Sequence, residues 1–393
     1  MGSCLDPARE ASASRRRRPR RTRRTALRIL IVGGGLGGLA LARALQQRGL
    51  AADIVERAAQ WEPVGTGLYL PANGVRVLRR LDLDQAVRSR GCVIPRQRVL
   101  DHRGRLLLDI GLDEIWGRRA SVSPYTGTIS TRCCGRAPRF RLGTTVEAVR
   151  EEADAVRVRL SDGSTGGYDL VVGADGIHSA IRRLVFDGVP PRYVGQVSWR
   201  AVVHGGPAIT AWTVMLGRGR AFLLVPIGEG RLYCYADVNA SEGRDPADGV
   251  FLRFVELFGD FGDPAADILG RLVPADARYF SAIEELAPRP WVKGHMVLIG
   301  DAAHATSPNM AQGAVMAMED ALVLAEVLAS GQPVATCLAV YEARRALRVR
   351  WVQEQTHRRD RTRNLAPALR NCVLRVAGKR IFKANHRPLL KDP

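Results

Sequence analysis

The sequence predicts an α/β fold: a Rossmann-type parallel sheet with an inserted antiparallel sheet and a C-terminal helical region. Three observations carry this expectation. Residues 27–32 (LRILIV) form a continuous apolar run, as a strand buried on both faces requires, and pass through Gly33–Gly38 into LALARALQQRG, which has helical spacing. Two more runs of this kind, DLVVG from Asp169 and MVLIG from Met296, also end in glycine. Residues 196–240 instead alternate in short segments, with Trp199, Trp212, Phe222, Tyr233 and Tyr235 among them, as antiparallel strands do.

The elements follow in order. The helix after Gly38 stops at Gly49, and AADIVE supplies a second strand, completing a β–turn–α–β unit of the length a parallel crossover needs. RQRVLDHRGRLLLDI (96–110) alternates around an HRG turn and predicts a hairpin, and TVEAVREEADAVRVRL (145–160) predicts another. MVLIGD (296–301) is a third parallel-type strand, and Gln312–Ala329 is a helix. Thr336–Arg363 reads as a long polar helix with a basic face, followed by a shorter basic segment.

With 393 residues, 46% of them hydrophobic, the chain can bury a substantial core and fits two interlocked domains. Lys and Arg number 59 against 39 Asp and Glu, a net charge of +20. The excess concentrates in RRRRPRRTRR at 15–24 and between Arg344 and Lys391. Such runs can bind nucleic acid or anionic membrane. The first 26 residues are too apolar-poor and self-repelling to fold, so a disordered tail or an over-called translation start is expected there. No aromatic residue interrupts the tail to stack on bases, and a nucleic-acid partner is not expected. The seven cysteines lack C-x-x-C spacing and the seven histidines lack metal-ligand spacing, so the expectation is a reducing cytoplasm and no metal. The one long apolar stretch, Ala26–Leu50, is broken by five central glycines and does not read as a membrane span.

The first chemical motif is Gly33-x-Gly35-x-x-Gly38 between strand and helix, with Glu56 eighteen residues on, at the end of the next strand. The first glycine permits the tight turn, the second lets a pyrophosphate reach the backbone, and the third lets helix and strand pack closely. Phosphate oxygens meet free N–H groups at the helix start, and an acidic residue at Glu56 can hold ribose hydroxyls. The motif alone leaves FAD and NAD both open.

Two further motifs narrow the choice. Asp169-Leu-Val-Val-Gly173-Ala-Asp175-Gly176-Ile-His-Ser179-Ala-Ile-Arg182 resembles one fingerprint of the group A flavoprotein monooxygenases, and Gly300-Asp301-Ala-Ala-His304 with Pro308-Asn-Met-Ala311-Gln312-Gly313 resembles another. The wording SPNMAQGAVMAMEDA is similar to the branch holding salicylate hydroxylase, 3-hydroxybenzoate 6-hydroxylase, urate hydroxylase and zeaxanthin epoxidase, with Ala311 where a glycine is more usual. The resemblance covers residues 27 to about 350. It implies a para-hydroxybenzoate hydroxylase-like fold, with FAD as cofactor, NADPH or NADH as co-substrate, and O2 activated as a flavin C4a-hydroperoxide that oxygenates a small aromatic, heteroaromatic or polyene molecule. It also implies cofactor contacts at Gly33, Gly35, Leu36, Gly38 and Glu56, at Val146, at Asp175, Gly176 and Arg182, and at Gly300, Asp301, Gln312, Gly313 and Ala314. Pro308 stands where the family packs a proline against the flavin ring.

Substrate selection falls to the antiparallel sheet. Arg200, with Trp199, Phe222 and Tyr233, is the expected lining, and Arg200 can hold an anionic or carbonyl-bearing substrate or serve as an ordinary surface or flavin-shell residue. His304 is a candidate base or a structural helix-start residue, and Glu319-Asp320 alone reads equally as a solvated helix face. The expected division is a basic tail at 1–26, an FAD-binding domain from 27–75, 140–185 and 286–335, a substrate domain from 76–139 and 186–285, and the helical region at 336–393. Two rivals stay open: a flavin-dependent reductase of prenyl chains, and a vestigial flavoprotein with basic nucleic-acid- or membrane-binding tails.

One stretch departs from the family. Where relatives place a helix beginning near His-Arg-x-x-Leu, whose arginine reaches the FAD, this chain reads SPYTGTISTRCCGRAP (123–138), with no helical periodicity. GC-rich codons for Pro124–Ala137, read in another frame, can encode Val-His-Arg-Asp-Asp-Leu-His-Ala-Leu-Leu-Arg-Ala-Arg, which restores that helix. The gene's nucleotides across the stretch test this.

Overall fold

The computed structural model describes residues 27–60, 68–89, 91–116, 123–125, 139–153, 155–186, 188–241, 249–276 and 279–393. The expected tail at 1–26 and most of the departing stretch, 126–138, lie outside these residues.

Ile29–Val32 is the centre of a six-stranded sheet, parallel to Leu170–Gly173 on one side and Ala52–Val55 on the other. Met296–Leu298 and Phe140–Arg141 extend it in parallel, and Val292–Lys293 closes one edge antiparallel. The Ile29–Val32 strand is apolar at every position because both its faces are covered; no residue in it is more than 2% exposed. The helix Leu36–Gln46 crosses the helix Gly313–Ala329, and Gly37 keeps the two close: a Cβ there would lie 3.3 Å from the Ala317 Cβ. Val146–Glu152, Ala155–Leu160 and Thr165–Tyr168 form a separate three-stranded antiparallel sheet.

A seven-stranded sheet runs in the order Tyr279–Glu285, Arg192–His204, Arg231–Asn239, Arg220–Pro226, Trp212–Leu216, Arg96–Asp101, Leu106–Gly111. It is antiparallel except where Trp212–Leu216 runs parallel to Arg96–Asp101. Its two faces differ in kind. Trp199 and Phe222 project to one, where Phe254 and Phe258 of the helix Val250–Phe258 and Phe261 complete an aromatic core; the Phe254 ring is stacked with Trp199 at 5.7 Å and with Phe222 at 6.1 Å. The residues of opposite parity, Arg200 and Leu223 among them, face a large cavity.

The C-terminal region is more structured than its polar composition suggests. The long helix starts at Val334, two residues before the expected Thr336, and runs to Arg363. The following basic segment is a twenty-residue helix, Pro367–His386, opened by a proline in its first turn. Arg370 fastens this helix to the sheet by donating to the carbonyls of Gly217 (2.6 Å) and Leu216 (3.1 Å). At its far end His386 stacks on Phe382, meets Trp116 edge-on at 5.1 Å and donates from Nδ1 to the Phe382 carbonyl at 2.8 Å.

Burial, reinforced by Arg359, pushes the His386 pKa down to about 3. Its folded value therefore lies below the unfolded value of about 6.5, so its contribution to stability is present above pH 6.5 and is lost as pH falls towards 3. The melting temperature of the wild type is expected to fall through that window more steeply than that of His386→Phe; parallel pH profiles would contradict the docking role.

Candidate cofactor and substrate site

The glycine turn is shaped by three different demands. Gly33 has φ +108°, and a Cβ there would sit 2.4 Å from the Ala174 carbonyl oxygen. At Gly38 a Cβ would lie 2.0 Å from the Gly33 carbonyl oxygen, so the helix could not approach. At Gly35 a Cβ would meet nothing within 4 Å, which leaves a backbone cradle open to an incoming group. Leu36 begins the helix, and no side chain caps that start. Its first N–H groups, at the positive end of the helix dipole, are thus available to phosphate oxygens. Glu56 ties the second strand to this turn, accepting from Gly34 N at 2.7 Å and Ala58 N at 2.9 Å, and remains half-buried. Val146 is buried at the start of its strand.

The second loop follows Leu170–Gly173. Asp175 accepts from Ala180 N at 2.6 Å, and its other oxygen is buried without a partner among the described residues. Burial pushes this carboxyl up. Gly176 takes φ +78°. Arg182 donates to the carbonyls of Ala302 (3.0 Å) and Ile177, so it clamps the second loop to the third.

The third loop leaves Met296–Leu298 at Gly300, whose φ of +59° and 2.8 Å approach of a Cβ to Ala317 exclude a side chain. Asp301 opens on the cavity, its carboxyl pushed up by burial, pulled down by His304 and raised again by Asp320. Gly313 lies beside it, with a Cβ position 3.7 Å from Asp301 Oδ1. Gly313 and Ala314 begin the helix Gly313–Ala329, which also lacks a side-chain cap and turns its N-terminus to the cavity. Gln312 points inward, its Oε1 accepting from Asn73 at 2.8 Å. Ala311 is held at φ +51°, a left-handed geometry that costs a residue with a Cβ about 1 kcal/mol and explains why glycine is more usual there.

These loops rest on a buried ion cluster. Arg345, Glu319 and Asp320 are all 0% exposed. Arg345 Nε donates to Asp320 at 2.7 Å and its Nη1 to Glu319 at 2.8 Å. Asp320 also accepts from Gly300 N at 2.9 Å and bonds His304 Nε2 at 2.7 Å. Despite burial, His304 and then Arg345 hold the Asp320 carboxyl down at about 2. Glu319-Asp320 is therefore not a solvated helix face. His304 is buried in this cluster, edge-on to Trp291 at 5.3 Å, and does not reach the cavity; the candidate base is corrected to a structural residue.

The cavity, of about 900 Å³, lies between the third loop, the open face of the seven-stranded sheet and the two C-terminal helices. Pro308, Arg200 and Tyr233 line it as expected. Phe222 does not: its 0% exposure in the aromatic core corrects its assignment as a substrate contact, and Trp199 shares its face. Alternation is the reason, since successive residues of a strand point to opposite faces. The register pairs Arg200 with Tyr235 and Tyr235 with Leu223, so Tyr235 is the aromatic residue beside Arg200. Tyr235 Oη, Asp237 Oδ2, Gln97 Oε1 and Trp212 Nε1 are buried on this wall without partners among the described residues. Sequence reasoning also passed over Arg359, which donates to the Asn309 carbonyl at 2.9 Å and lies over Phe382 at 5.7 Å.

Arg345→Met removes the cation from two buried carboxylates. It is expected to cost about 3–5 kcal/mol and to loosen the third loop. Chemical unfolding of wild type and variant measures this; equal stabilities would contradict a supporting role for the cluster.

The FAD binding domain family model matches residues 26–204 and 273–356. The chain is 35% identical to the aurachin C monooxygenase/isomerase of Stigmatella aurantiaca, over 83% of this chain and 86% of that protein. It is 33% identical to the 2-heptyl-3-hydroxy-4(1H)-quinolone synthase of Pseudomonas aeruginosa, over 84% and 87%. The crystal structure of Klebsiella pneumoniae HpxO with FAD and uric acid superposes with a TM-score of 0.85 at 28% identity, covering 93% of this chain and 97% of that one. The glycine cradle, the two loops beside it and these likenesses agree on one cofactor, FAD. The chain belongs to the FAD binding domain family and is a group A FAD-dependent monooxygenase.

Proposed function

We propose that this enzyme uses NADPH or NADH and O2 to place one oxygen atom on a heteroaromatic ring held against the seven-stranded sheet, the other oxygen leaving as water. The observation that carries this reading is the set of partnerless buried polar atoms on the cavity wall, of which Tyr235 Oη and Asp237 Oδ2 lie on the strand paired with that of Arg200. A buried polar group left unpaired is costly, so such atoms favour a ligand that carries both donors and acceptors. The heteroaromatic names of the relatives support the same class.

The fit to FAD assigns work to particular residues. Gly33, Gly35, Leu36 and Gly38 would hold the pyrophosphate, Glu56 the ribose, and Asp301 the ribityl hydroxyls, with Val146, Asp175 and Gly176 beside them. Gly300 and Gln312 set the backbone there, and the N–H groups of Gly313 and Ala314 would hold the flavin ring. Bound FAD supplies the redox chemistry by which oxygen is activated. The protein's share is to orient the ring and keep water away from it. Pro308 and Phe382 wall the cavity for that purpose. Arg200 has no carboxylate partner among the described residues, so its guanidinium can hold a carbonyl or anionic oxygen of the substrate. Burial pushes the Tyr235 phenol well up, which keeps it a proton donor across the physiological range. Asp237 is steadied by Arg363 and offers its second oxygen as an acceptor.

A cytoplasmic location agrees with free thiols at Cys92, Cys234, Cys337 and Cys372. No helix among the described residues is long and apolar enough to cross a membrane.

Loss of a charge-assisted hydrogen bond costs about 1.5–3 kcal/mol, or roughly ten- to a hundredfold in affinity. Arg200→Met is accordingly expected to raise KM by that factor with FAD content unchanged, and Phe222→Leu to leave KM alone. NAD(P)H-dependent oxygen uptake over a heteroaromatic panel, with labelled O2 traced into product, measures both. Reduction of a prenyl chain without oxygen consumption would overturn the reading.

A further inference from the structure

The cavity is longer than a compact ring system needs. Sheet register places six residues in one transverse row: Arg200, Tyr235, Leu223, Val214, Val99 and Leu108. All six line the cavity. With strands about 4.8 Å apart, the row spans roughly 24 Å, and its apolar part from Leu223 to Leu108 roughly 14 Å. The order along the row is sharply divided. A cation and a phenol stand at one end, and four aliphatic residues follow without interruption.

The roof repeats the division. Over the polar end, Asn309 of the turn that follows the third loop bonds Asp360 of the long helix, and Gln196 of the Arg200 strand donates to the same carboxylate at 3.3 Å. The polar end is thus fastened beside Pro308. Over the aliphatic end, the helix Pro367–His386 contributes Val373, Leu374 and Ile381 to the lining. Gly378 lets that helix settle on the last strand: a Cβ there would lie 3.4 Å from Leu108, so the glycine leaves only contact distance where the row ends. Arg370 turns its guanidinium to backbone carbonyls and supplies no free charge to this end.

We infer that the substrate carries an extended apolar tail on its heteroaromatic ring, with the ring at Arg200 and Tyr235 and the tail lying along Leu223, Val214, Val99 and Leu108 beneath the Pro367–His386 helix. This rests on the heteroaromatic reading above and adds the tail to it. Val214 and Gly378 then set the tail length accepted.

The test uses the FAD-loaded enzyme and a series of 4-quinolones that differ only in the length of a straight 2-alkyl chain, with dissociation constants read from the flavin absorption change. Affinity is expected to rise by up to about fourfold per methylene, the value of burying one CH2, and then to level off. Val214→Phe fills the row midway and should level off after the shortest chains. Gly378→Leu should level off at an intermediate length. FAD content of each variant reports its folding. If the 2-methyl compound binds and is oxygenated but longer chains gain nothing, the tail inference fails and the heteroaromatic reading stands. If no member perturbs the flavin spectrum, both fail.

Discussion

The site depends on keeping one arginine and two carboxylates buried together. Arg345, Asp320 and Glu319 have no exposure, and each would be expensive alone in the interior. Together they are satisfied, because Arg345 spends its donors on both carboxylates while Gly300 N and His304 take the remaining Asp320 oxygen. The same Glu319 receives Asn73 at 3.4 Å, and Asn73 in turn holds Gln312. One cluster therefore joins the end of the Met296–Leu298 strand, both ends of the third loop and two long helices. Asp301 and Gly313, the residues that meet the cavity, hang between fixed points on either side. The acidic pair thus contributes to function without touching it.

The second constraint is the parity of the seven-stranded sheet. Its two faces were given opposite tasks, an aromatic core under Trp199 and Phe222 and a cavity over Arg200 and Tyr235. A sheet packed on one face by rigid aromatic rings offers a fixed floor on the other, which is what a site needs if polar atoms are to stay where a ring will meet them. The roof comes from the basic C-terminal helices. Their charge is directed partly inward: Arg359, Arg363 and Arg370 bond backbone or carboxylate oxygens at the cavity edge. Basic composition here serves assembly of the site, at least for these residues.

Much of this was legible in the chain itself. The glycine turn, the two acid-containing loops and their order point to the cofactor because each motif obeys a steric rule that survives without knowledge of the rest: Gly33 and Gly38 have no room for a Cβ, and Gly35 faces space. Arg200 and Tyr233 also emerged from the pattern. What failed was face assignment. Trp199 and Arg200 are neighbours on one strand and cannot share a face, and grouping Phe222 with Arg200 ignored the register that pairs Tyr235 with both Arg200 and Leu223. That pairing is non-local, so no single stretch of sequence encodes it. His304, Glu319 and Asp320 were ambiguous for a similar reason: their meaning depends on Arg345, brought in from a helix far along the chain. The roofing role of Pro367–His386 was hidden because a polar helix shows no strong apolar stripe when its buried side faces a cavity.

The central claim is that this chain assembles one FAD site from three separated loops, with the stretch from 123 to 138 reading as it does. The visible absorption spectrum of the purified protein, followed by release and quantitation of the flavin, tests it most directly. The purified protein is expected to be yellow, with FAD near equimolar to the chain. A colourless protein that cannot be reconstituted with FAD would contradict it.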